Sequence, residues 1–238
     1  MIINSFFFST EEGGDWSPAD LSNLFAWYRG DTYVETSGRV SSWTDKSGNG
    51  RTMSQSTFNN QGEANSSGGP NSTPFIDFSL QESWYDCPSG TWNGPLEVPM
   101  TIVMVKKYLD LGVVHGANVA LDEVDDEPVT PSVGFYTQFF FGSTPDIYYQ
   151  SGDTNWHVHL IQFESNTPTI KFDGTDLSNS DTITDTVSAG SMRLGNVRDG
   201  YYLPFLGQMA EVIFIEGSLS SGDRTLLENY LSERYGLY

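Results

Sequence analysis

The chain has 238 residues, 37% hydrophobic and 14% aromatic, which is enough core for one all-β domain or two small ones. With 31 Asp and Glu against 11 Lys and Arg, its formal charge is −20. This argues against nucleic acid and anionic membrane as partners, because phosphate binding needs the opposite sign. Cys87 is the single cysteine, so no intrachain disulfide forms.

The opening MIINSFFFSTEEGG lacks a basic region and turns acidic at Glu11, so it does not read as a secretory signal. It reads as a short strand or arm, residues 1–15, ahead of a single domain over 16–238. Next, WSPADLSNL predicts one helical turn with Ser17 as N-cap and Pro18 in the first position. FAWYRGDTYV predicts a strand that frays into a turn. RVSSWTDKSGNGRTMSQ predicts strand, loop and strand, with Asn49-Gly50 supplying a turn that needs positive φ.

Residues 59–74 read as a long polar loop, followed by the short strand FIDFS. PMTIVMVKKY is the clearest buried strand. After an acidic stretch come VGFYTQFFFG, DIYYQSG, WHVHLIQFE, TIKFDGTDL, SMRLGNV and LGQMAEVIFIEG, with turn signals at the spacing of a β-sandwich. In the last of these, Ala210, Val212 and Phe214 are expected on one face and Glu211, Ile213 and Ile215 on the other. By the same alternation His157 and His159 are expected on the wetter face of their strand. Leu226, Leu227, Tyr230 and Leu231 then follow a helical period, with Ser220 or Ser221 as N-cap and Gly236 as C-cap. No apolar run approaches the ~20 residues of a membrane span.

Several of these pieces, in this order, resemble the concanavalin A-like lectin/glucanase sandwiches, and among them the laminin-G-like domains of bacterial and phage proteins. They are LFAWYRGD with its TDKSGNG loop, NWHVHLIQFESNTPTIKFDGTDL, MRLGN and FLGQMAEVIFIEGSLSSGDRTLLENYLSERYGL. The resemblance covers most of residues 20–237 and implies a jelly-roll β-sandwich closed by a short C-terminal helix. The MIIN start is similar to that of laminin-G-like proteins of tailed phages. It implies a non-enzymatic virion protein (tail, fibre or capsid decoration), made in the host cytoplasm and displayed on the virion surface. Residues 1–14 would dock on other virion proteins, the domain would bind host-surface glycans, and trimers are common in such assemblies.

Five carboxylates fill the six positions from Asp122 to Glu127. In retaining glucanases of the resembled fold two Glu flank the scissile bond, about 5–5.5 Å apart. Glu123 and Glu127, with Asp125 between them, fit those roles by spacing, which makes a glucanase-type hydrolase the alternative function. Asp126, the adjacent Pro128 and mutual repulsion favour a solvated or calcium-binding loop instead. A free bacterial carbohydrate-binding domain is a third reading.

The remaining candidates are weaker in chemistry. Asp45, Ser47 and Asn49 offer oxygens to calcium, which Asp31 and Asp173 would complete, or Asp45 simply caps an Asx-turn. Arg29-Gly30-Asp31 spells an adhesion tripeptide and reads as chance. His157 and His159 sit at i, i+2, with His115 the only other histidine, too few for a metal site. Sugars stack on exposed aromatic rings, for which Trp84, Tyr85, Trp92, Tyr148, Tyr149, Tyr201 and Tyr202 lie in or near turn-rich segments; Tyr201 and Tyr202, in DGYYLPF, are the leading pair.

Overall fold

The computed structural model describes residues 16–79, 83–87, 92, 96–109, 119–121, 136–141, 144–150, 153–164, 168–177, 188–189, 191–196 and 205–238. The predicted N-terminal arm, residues 1–15, lies outside them. The strands are β1 (Leu24–Thr36), β2 (Arg39–Asp45), β3 (Met53–Ser54), β4 (Glu63–Asn65), β5 (Phe75–Asp77), β6 (Tyr85–Cys87), β7 (Leu96–Glu97), β8 (Met100–Tyr108), β9 (Val119–Leu121), β10 (Tyr136–Phe141), β11 (Thr144–Gln150), β12 (His157–Phe163), β13 (Thr169–Phe172), β14 (Thr175–Leu177), β15 (Ser188–Ala189), β16 (Met192–Leu194) and β17 (Gly207–Glu216). One helix, α1 (Ser221–Tyr235), follows.

The all-β architecture with a C-terminal helix is therefore as expected. The strand β8 carries the continuous apolar run, and every residue but Lys107 in it is buried. It sits between β17 and β12, both antiparallel. Alternate residues serve two cores. Ile102 and Met104 join Tyr28, Ile161, Phe163, Val212 and Phe214 in a core shared with Val40, Trp43, Met53, Tyr85, Met192 and Leu194 of β2, β3, β6 and β16. Val103 and Val105 point the other way, with Trp27, Val158, Leu160, Ile213 and Ile215, onto Leu227, Leu231 and Tyr235 of α1. The helix thus covers the outer face of the sheet. Its ends follow the sequence: the Ser220 hydroxyl accepts from Asp223 N at 3.0 Å, and Gly236 adopts φ 61° and donates to Ser232 O. Leu226, expected on the apolar stripe, is 40% exposed.

Closure of the sheet differs from a simple pair of stacked sheets. The 13-residue β1 does not fray; its first half pairs with β17 and its second with β2. A second link runs through β4 and β5, which pair with β2, each other and β17. Five strands (β1, β2, β4, β5 and β17) therefore form a closed ring of pairings, with the remaining strands outside it. The polar stretch 59–74 hid one of these links: Glu63–Asn65 is a strand despite its composition, because its backbone completes the ring.

Two face assignments need correction. A bulge in β17 places Met209 opposite Lys106 and Glu211 opposite Val105, leaving Ala210 as the extra residue. Ala210 consequently joins the helix-side core rather than the side of Val212 and Phe214. In β12 both faces are covered, so His159 is 1% exposed rather than wet.

Candidate functional site

Four segments that are remote in sequence enclose an open cleft of ≈ 500 Å³. A 3-10 turn at Pro18–Asp20 holds the chain entering from Trp16; Ser17 N donates to the Asp20 carboxylate at 2.8 Å. Arg29 comes from the middle of β1, Asn71 and Thr73 from the turn around Pro70–Ser72, and Tyr230 and Arg234 from the last turns of α1. Asn71 and Ser72 both hold positive φ, 53° and 60°. Non-glycine residues keep that conformation only where the surroundings impose it, and here Asn71 Nδ2 donates to Arg234 O at 3.1 Å, tying the turn to the helix end.

The side chains are held from behind. Arg29 forms a two-pronged pair with Asp31, Nε to Oδ1 at 2.7 Å and Nη2 to Oδ2 at 2.6 Å. Arg234 Nη2 lies 3.7 Å from the same carboxylate, and its Nε donates to the Tyr235 hydroxyl at 3.2 Å. Burial alone would raise the Asp31 carboxyl, but the hydrogen bond and charge of Arg29 outweigh it and hold the acid below its usual range. Gly30 is buried against Pro74, where a Cβ would come within 2.3 Å of the carbonyl oxygen. The Arg-Gly-Asp tripeptide is thus a packing and pairing unit of the fold.

Beneath the cleft lies Glu211, with no exposed surface. Its carboxylate accepts from Tyr230 OH at 2.8 Å, Tyr235 OH at 2.6 Å and Trp27 Nε1. Burial pushes its pKa up, and the three donors oppose the rise. The Tyr230 ring meets Trp16 edge-on at 6.2 Å and Trp27 at 6.4 Å. The result is an open site with two aromatic rings, two guanidinium groups and short polar side chains, all braced by buried contacts.

A second polar cluster lies inside the larger core, on β8 and β12. Lys106 Nζ donates to Tyr108 OH at 2.9 Å and stands across from His157 in the strand register. Burial drives both Lys106 and His159 well below their usual pKa values, and the charge of Lys106 lowers His159 further. His157 bridges two carboxylates, Nδ1 to Asp173 at 2.6 Å and Nε2 to Asp153 at 2.9 Å. Burial would lower this imidazole, but the two acids raise it overall. Lys106 and His159 have 0% and 1% exposure, so the open cleft is the better candidate for a ligand.

The three carboxylates expected to share a calcium ion each have other partners. Asp45 Oδ1 accepts from Trp27 N and Ser47 N, and Oδ2 from Arg51 N and Ser47 Oγ. Asp31 pairs with Arg29, and Asp173 holds His157 and Val158 N. Among the described residues no three His, Cys, Asp or Glu side chains converge as a metal site. The Asx-turn reading of Asp45 is what the structure displays.

Of the aromatic candidates, Trp92 and Tyr85 are corrected outright. Both have 0% exposure; Trp92 packs 4.8 Å from Phe25, and Tyr85 bonds Gly62 N and Val40 O. Trp84 is half-buried, with the Arg193 guanidinium 3.9 Å from its ring centroid. Glu123, Asp125, Glu127, His115, Tyr201 and Tyr202 lie outside the described residues, and the side chains of Tyr148 and Tyr149 are likewise not described. Sequence reasoning missed Trp16, Tyr230, Arg234 and Glu211. Only Glu211 carried a signal, a lone acid inside the apolar run MAEVIFIEG.

No protein-family model matches the chain, and comparison with curated proteins finds no match. Solved structures do share the fold. A Trypanosoma rangeli sialidase, in complex with 2,3-difluorosialic acid, is 12% identical, with a TM-score of 0.55 over 90% of this chain and 34% of its own. A GH54 α-L-arabinofuranosidase is 10% identical, with a TM-score of 0.53 over 92% of this chain and 60% of its own. The chain thus spans about a third of the sialidase and three-fifths of the arabinofuranosidase. At such identities the likeness is one of fold. Those neighbours are glycoside hydrolases, and they overturn the expectation of a non-enzymatic virion structural protein.

Proposed function

We propose that the chain is a carbohydrate-active domain of the glycoside-hydrolase kind, built on a jelly-roll sandwich of concanavalin A-like type. The observation that carries this reading is the fold shared with a sialidase and an arabinofuranosidase over nine-tenths of the chain. The cleft between β1, the Asn71 turn and α1 supports it as the place where sugar is held. Its volume falls in the range of small-ligand sites. Trp16 and Tyr230 offer apolar ring surface for sugar C–H groups, while Asn71, Thr73 and the two arginines offer hydrogen bonds to hydroxyls.

For cleavage, the sequence offers Glu123 and Glu127 as nucleophile and acid, with Asp125 between them. One carboxylate would attack the anomeric carbon while the other protonates the leaving oxygen. The segment follows directly after β9, which lies inside the sheet between β10 and β16.

The test has a binding arm and a turnover arm. The parent protein, Tyr230→Ala, Glu123→Gln and Glu127→Gln are compared on a glycan array and on polysaccharides and 4-nitrophenyl glycosides. Tyr230→Ala should weaken binding roughly tenfold or more, the scale of one lost stacking and hydrogen-bonding side chain. Each Gln variant should lower turnover by about 10²–10⁴ without changing binding. A folded parent that neither binds nor cleaves any carbohydrate would sink the proposal.

A further inference from the structure

We infer that the cleft selects a saccharide bearing a carboxylate, with the acid group set against Arg234 and Arg29 behind it. This inference rests on the carbohydrate reading and narrows it to a substrate class.

The first observation is where the cations are. A chain with 11 Lys and Arg against 31 acids places two arginines on one cleft. They are not equivalent. The fork of Arg29 is filled by Asp31, bonded through both Nε and Nη2. Arg234 uses only Nε, toward Tyr235 OH, and its Nη2 stays 3.7 Å from Asp31, beyond hydrogen-bond reach. Among the described residues its Nη1–Nη2 edge makes no hydrogen bond, although the side chain is only 23% exposed.

A second observation concerns charge. Arg29 and Arg234 balance the formal charges of Asp31 and Glu211, so what the cleft offers an anion is the unused guanidinium edge of Arg234, not a net positive charge. The one acid on the cleft wall is Glu233, which is exposed and opposes an anion from the rim. A neutral sugar hydroxyl accepts from one guanidinium N–H at a time and leaves the paired donors of that edge only half used. A planar carboxylate matches that unused edge with two parallel N–H···O bonds.

Position is supplied by the frame. Arg234 is held by Tyr235 and by the Asn71 link to its carbonyl, so little side-chain freedom is lost on binding. The acid would lie at the helix end, and the ring beside Trp16 and Tyr230.

Titration calorimetry with matched probes decides the matter: a galacturonate trimer against its methyl ester, 3′-sialyllactose against lactose, and 3′-sulfolactose as a tetrahedral anion. In at least one pair the carboxylate sugar should bind roughly tenfold tighter than its neutral partner, and more weakly as salt rises. Arg234→Met should erase that preference, bringing the acidic and neutral members of each pair to equal affinity. Glu233→Gln, at an exposed position that leaves the fold intact, should tighten the acidic sugar about two- to fivefold. Equal affinities within every pair, no response to Glu233→Gln, or stronger binding of the sulfate would overturn the carboxylate assignment while leaving carbohydrate binding in place. Silence from neutral and acidic members alike would remove both readings together.

Discussion

Glu211 is a carboxylate at full burial, answered by three side-chain donors from two elements. Its removal is more costly than its presence is stabilising, because an apolar substitute leaves Trp27, Tyr230 and Tyr235 without their acceptor. Glu211→Leu should therefore lower stability by roughly 3–5 kcal/mol, and Glu211→Gln by about 1–2 kcal/mol, in urea denaturation. The pH dependence has a defined sign. Burial raises the folded pKa above the ordinary 4.5, so the folded state holds the proton more tightly than the unfolded chain. The contribution is complete below 4.5 and is lost as pH rises through the folded value. His157, raised from 6.5 by its two acids, adds a slope of the same sign at higher pH. The Glu211 part is the difference between parent and Glu211→Gln. A parent whose stability does not fall relative to that variant as pH rises above 4.5 would contradict the assignment.

The loop from Asp45 to Arg51 shows how one element is held by a single side chain. Asp45 takes four donors, which matches the roughly four lone-pair positions of a carboxylate. Gly48 and Gly50, at φ 85° and 76°, let the backbone turn sharply enough to present those groups. Asn49 then bonds the carbonyls of Leu24 and Phe25, and Arg51 lies 3.7 Å over the Phe25 ring. The loop is a clasp over the start of β1. Asp45→Ala should lower the stability by about 2–4 kcal/mol. A chelator should leave the parent's melting temperature unchanged, since N–H and O–H donors already fill both oxygens of Asp45. A drop in melting temperature with EDTA would show that a cation holds this loop. The Asx-turn was legible in TDKSGNG itself, because three of the four donors to Asp45 come from Ser47 and Arg51, within six positions; the fourth, Trp27 N, comes from β1. The strand at Glu63–Asn65 was not legible, because its ring-closing pairing overrides a composition that favours loops.

At the scale of the molecule, the first and last strands pair, and the terminal helix seals the outer face of the sheet. Leu231 lies at 0% exposure in that seam. Leu231→Ala should cost about 2–5 kcal/mol, and the loss should appear in one cooperative transition by both near-UV and far-UV signals. A separate early transition of the helix would mean that it docks on a sheet already stable without it. The cleft depends on the same docking, since Tyr230 and Arg234 ride on α1 and Arg29 on β1.

Strand alternation, the glycine and Asx turns, both ends of the helix and the all-β class were set by the sequence alone, because each rests on contacts between residues a few positions apart. The tertiary structure alone decided which faces are covered. It buried His159 and Trp92, turned Ala210 outward through a bulge, and brought Trp27 to Glu211 across 184 positions. Periodicity states which side chains share a face. Only the packing of distant segments decides whether that face meets water, another sheet or a helix, and therefore where a ligand can enter.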